Sequence, residues 1–114
     1  MLLLAALTLI IIACVHSALG EMKVIQPLYA SPSLSPYVKR LIRVSWHLIT
    51  VFWMAIALYL VTMDLYPGAE RKSFLIIMSS VFSCITLLAL FASKGRHLSY
   101  IGFGLIALLL GLSI

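Results

Sequence analysis

Four apolar stretches, none of them holding an Asp, Glu, Lys or Arg, fill most of this 114-residue chain: Leu2 to about Leu19, about Val44 to Met63, Phe74 to about Ala92, and Leu98 to Ile114. A helix of about 17–20 residues rises about 26–30 Å. That matches the hydrocarbon core of a bilayer, about 30 Å thick. In lipid every backbone N–H and C=O must be paired within the spanning segment, so these stretches read as helices. The strict apolar–polar alternation of a barrel strand is absent. Composition agrees, with 64% apolar and 10% charged residues, where a soluble domain has roughly 45–50% and about 25%. A soluble domain of this size hides only about two-thirds of its surface. A monomeric soluble enzyme is therefore excluded, and so is a disordered chain. The expected fold is all-α: a single transmembrane domain over residues 1–114, a four-helix bundle in up-down order.

Charge orients the spans. The links after the first and third stretches carry Lys23, Lys39, Arg40, Arg43, Lys94 and Arg96, six cations, whereas the opposite face carries only Arg71 and Lys72. The positive-inside rule puts the six in the cytoplasm and both termini on the non-cytoplasmic side. The net charge of +5 sits beside the membrane and suits anionic lipid headgroups rather than nucleic acid. Trp46, Tyr37 and Tyr100 fall near the inner interface, and Tyr59 and Tyr66 near the outer one. Trp53 falls near mid-membrane, where its indole N–H calls for a partner helix. Ile11-Ile12-Ala13-Cys14 loosely resembles a lipoprotein cleavage box. A basic n-region is missing and the apolar run continues to Leu19, so the first stretch is expected to be retained as a span.

The connection from residue 20 to 43 is the one sizeable segment outside the spans. Gly20 is a natural helix C-cap, and Pro27, Pro32 and Pro36 interrupt regular helix. A turn-rich cytoplasmic strap on the membrane surface is expected. Ser35-Pro36 makes an N-cap and N1 pair, so the second helix should start there. Lys39, Arg40 and Arg43 would then reach anionic lipid headgroups, or the propionates of a haem.

Three histidines supply the chemistry. His16, His47 and His97 fall at the inner face, at depths within about one helical turn of one another, and Glu21 follows just past Gly20. Ionisable groups at membrane depth are functional candidates by default. Neutral imidazoles with a carboxylate suit a metal ion; two of them suit haem iron; and imidazole also serves proton or quinone chemistry. Interfacial hydrogen bonds to Ser17, a backbone carbonyl or a lipid phosphate account for the histidines equally well. No HxxxH, HExxH or ExxH spacing is present. Ser17, adjacent to His16, points to another side of the helix and forms no nucleophile–base pair with it.

Cys14 and Cys84 make no CxxC, so the redox pair of a membrane disulfide enzyme is missing. They read as small core residues. Ser79 and Ser83 with Thr86, and Gly104, Ala107 and Gly111, form small-residue stripes that let helices approach closely in lipid. The acid that small multidrug exporters carry in their first helix has no counterpart here.

Val15-His16-Ser17-Ala18-Leu19-Gly20-Glu21, followed by Arg43-Val44-Ser45-Trp46-His47-Leu48, resembles a pattern in small uncharacterised bacterial inner-membrane proteins of about four helices. The resemblance implies that His16, Glu21 and His47 belong to one site, and it brings no assigned activity. The expected function is that of a non-catalytic integral membrane protein, an accessory subunit or a homo-oligomeric bundle. Its partners would be lipid and other membrane helices. A metal- or haem-binding protein built on the histidine cluster is the alternative, and a small transporter or quinone-linked protein stands third.

Overall fold

The computed structural model describes residues 1–96 and 98–114. It is all-helical, with no strand among the described residues. Helix α1 (Leu2–Gly20) runs through a π-helical turn (Glu21–Ile25) into α2 (Gln26–Ala30); α3 is Pro36–Leu65, α4 Arg71–Ser93 and α5 Ser99–Gly111. Three continuous helices, Leu2–Ala30, α3 and α4, are long and apolar enough to cross a membrane. The fourth apolar stretch is helical over only 13 residues, about 20 Å. Its glycines weaken the helix while letting neighbours approach: Gly102 faces Ile12, Gly104 faces Thr86, and Gly111 faces Ser79.

The segment expected to be a turn-rich strap is mostly helix. Gly20 has ordinary right-handed angles, φ −62° and ψ −46°, and ends nothing. Pro27 has no N–H to give the ladder, and the π turn just before it widens the helix where the proline enters. Only residues 31–35 are left as a loop. α1–α2 and α3 thus form one long helical hairpin. Its α3 arm starts at Ser35, whose Oγ accepts the Val38 N–H at 3.3 Å. Ser35→Ala is expected to destabilise the chain by about 1 kcal/mol, read as a lower thermal midpoint in detergent; an unchanged midpoint would show the cap to be idle.

α1 runs antiparallel to α3, and α4 to α5. Ser17 and Glu21 meet His47 and Arg43 across α1 and α3. Ser79 meets Ala107 and Thr86 meets Gly104 across α4 and α5. The closest approaches pair α1 with α3 and α4 with α5, and the two pairs join along α1 and α5. This order gathers Lys23, Lys39, Arg40, Arg43, Lys94 and Arg96 at one end and leaves Arg71 and Lys72 at the other. The core is apolar throughout, with Leu2, Ala5, Ala6, Leu9, Leu60, Leu75, Phe82, Phe103, Ile106 and Leu110 at its centre. Little of each long helix is covered, and large apolar side chains such as Leu7, Val51, Phe52, Leu58, Leu88 and Phe91 stand outward.

Candidate functional site

The polar site lies in the hairpin, at the cationic end. Ser17 and Glu21 are four residues apart on one arm, and Arg43 and His47 four apart on the other. Spacing of four keeps each pair on a single helix face, and the antiparallel register sets the two faces together. Ser17 Oγ lies 3.0 Å from His47 Nδ1, and His47 Nε2 lies 3.1 Å from Glu21 Oε2. The other Glu21 oxygen holds Arg43 Nη2 at 2.7 Å. A neutral imidazole protonated on Nε2 satisfies both neighbours, donating to Glu21 and accepting the Ser17 hydroxyl. Arg43 also rests over the Tyr29 ring, 5.7 Å from its centroid. Lys39 Nζ donates to the Tyr29 carbonyl at 2.9 Å. All these groups are half-buried or exposed, so each contact is worth less than it would be in a dry interior.

Beside this network lies an aromatic layer. Trp46 Nε1 donates to the His16 carbonyl at 3.1 Å, and the two rings stack with centroids 4.5 Å apart and planes 2° from parallel. Trp53 meets His16 edge-on at 4.9 Å and Phe103 at 5.1 Å, and Phe103 lies 6.1 Å from Phe82. Rings therefore run without a break from the hairpin into the core. A Cβ on residue 20 would enter the Trp46 indole, so Gly20 is what lets Trp46 reach the His16 carbonyl.

The histidine cluster expected from depth divides. His47 and Glu21 are in contact, whereas the His16 ring stacks on Trp46 and meets Trp53. The reason is angular: His16 and Ser17 stand about 100° apart around their helix, so equal depth does not bring both to the same neighbour. His97 lies outside the described residues. Among the described residues no three His, Cys, Asp or Glu side chains converge as metal donors. Of the three cations assigned to headgroups or propionates, Lys39 and Arg43 are engaged within the hairpin and Arg40 stands exposed. Ser79 Oγ donates to the Ala107 carbonyl of α5 at 3.0 Å, and Ser83 Oγ donates to the Ser79 carbonyl at 2.8 Å. Cys14 and Cys84 are exposed thiols, not core residues.

Ser17 is one hydrogen-bond partner expected for the histidines, and His47 is the ring it meets across the hairpin. The available signal was the pair of i, i+4 spacings, Ser17 with Glu21 and Arg43 with His47. Ser17, His47 and Glu21 have the order of nucleophile, base and acid. Ser17, however, is inside a helix whose own ladder uses the nearby N–H groups. The contacts join the two arms of the hairpin, Ser17 and Glu21 on one and Arg43 and His47 on the other. No protein family, characterised protein or solved structure compared with this chain matches it.

Proposed function

We propose that this chain is a small non-catalytic integral membrane protein, an accessory subunit or a homo-oligomeric bundle whose partners are lipid and other helices. In this reading the chain lies in a bacterial inner membrane, and the positive-inside rule sets the cationic end in the cytoplasm and both termini outside. The observation that carries this reading is the outward apolar surface of three helices long enough to span. Water would penalise so much exposed apolar area, and lipid would not. The test is alkaline carbonate washing of membranes, followed by labelling of single cysteines in a variant lacking Cys14 and Cys84. Lys72→Cys is expected to react with an impermeant maleimide added outside intact cells, and Lys23→Cys is expected to react only after lysis. Release by carbonate would overturn the reading, and the reverse labelling pattern would overturn its orientation.

Glu21 and His47 favour a second reading, a metal or haem site, because they place two donors 3.1 Å apart. It needs further donors from another helix or subunit. Soret absorbance and elemental analysis of the purified protein, with and without His47→Ala, decide it.

A further inference from the structure

One face of α3 combines cations with an open apolar track. Arg40, Arg43, Val44, His47, Leu48 and Val51 follow one another at helical spacing, and the last five line a shallow groove of about 510 Å³. Val44, Leu48 and Val51 are 59%, 57% and 67% exposed, so no other helix of the chain covers them. From Arg43 to Val51 the helix rises about 12 Å, close to the depth of one leaflet, half of about 30 Å. The track is therefore cationic at the hairpin end and apolar for the length of a leaflet beneath it. Guanidinium groups recognise phosphate oxygens with two parallel hydrogen bonds.

We infer that this face binds one anionic phospholipid of the inner leaflet, with its phosphate at Arg40 and Arg43 and one acyl chain along Val44, Leu48 and Val51. Charge complementarity selects a lipid over a second copy of the chain, because two copies of this face would set arginines against arginines. The apolar track selects a lipid over free phosphate. Lys39 takes no part, being tied to the Tyr29 carbonyl. Glu21 is the internal competitor: its carboxylate already holds Arg43 at 2.7 Å, where a phosphate would bind. The inference rests on the membrane reading above.

The test places the full chain in nanodiscs of equal parts phosphatidylcholine and phosphatidylglycerol, then counts retained lipid by native mass spectrometry. One phosphatidylglycerol per chain is expected to be retained over phosphatidylcholine. Each of Arg40→Gln and Arg43→Gln should lower that preference about fivefold. Glu21→Gln, which releases Arg43, should raise it. Arg40 is exposed and outside the Glu21 contacts, so Arg40→Gln leaves the fold intact whatever Arg43→Gln does. Equal retention of the two lipids would overturn the inference, as would a preference unmoved by Arg40→Gln. Displacement by glycerol phosphate as effective as by the whole lipid would mean a free-phosphate site, and lipid-free dimers would mean a self-association face; either also overturns it. A chain that enters the discs without lipid preference loses only this site, whereas one that never enters them loses the membrane reading too.

Discussion

Gly20→Leu is expected to destabilise the folded chain by about 3 kcal/mol and to loosen the hairpin from the bundle. Even a methyl group at this position would enter the Trp46 indole. That ring cannot move aside cheaply, since it stacks on His16 and donates to the His16 carbonyl. A leucine must either push Trp46 out or part α1 from α3, and parting them separates Ser17 and Glu21 from His47 and Arg43. The readouts are the midpoint of denaturation in mixed micelles and the tryptophan emission, which should shift as the indole leaves its packed site. Gly20→Ala should go the same way by less. A Gly20→Leu chain with unchanged midpoint and emission would show that the close approach of these helices does not hold the hairpin.

Phe82→Ala should produce the second large loss, about 2–3 kcal/mol. Truncating a buried phenylalanine in a water-soluble core costs about 3–5 kcal/mol. In the lipid setting proposed above, the tails are as apolar as the side chain, so the share due to leaving water falls away and the cavity and lost contacts stay. α4 buries only Leu75 and Phe82 fully, so Phe82, against Phe103, is the larger of the two side chains it sinks into the core. Leu88→Ala, at a site 69% exposed, is the control and should change the midpoint by less than about 0.5 kcal/mol. Equal effects at the two positions would mean that α4 is not held through its buried face.

Much of the helical framework can be read from residue order alone. The absence of charge over long apolar runs marks the helices, and Ser35-Pro36 marks the start of α3 because an N-cap needs no tertiary context. Gly20 and Pro27 mislead for a common reason. Each breaks a helix judged locally, but one serves a side chain on another helix and the other sits where a helix tolerates proline. The site is harder to see. Depth along a helix follows from counting residues, and that places His16, His47 and Glu21 at one level. Which of them touch depends on rotation about each helix axis, set by packing against Trp46, Trp53 and Phe103. Hence His47 and Glu21 meet while His16 turns to the aromatic layer, and Ser17 gains a partner 30 residues away.

The π turn at Glu21–Ile25 sets the phase of everything beyond it. One additional residue in a helical ladder rotates the following segment by about 100°. That rotation aims Tyr29 at Arg43 and Lys39, on the same arm that Glu21 and Ser17 already face. The hairpin is thereby latched at two heights by residues that a uniform α-helix would have pointed in different directions. The phase of the latch thus depends on a surplus residue, which a one-residue deletion within Glu21–Ile25 would remove.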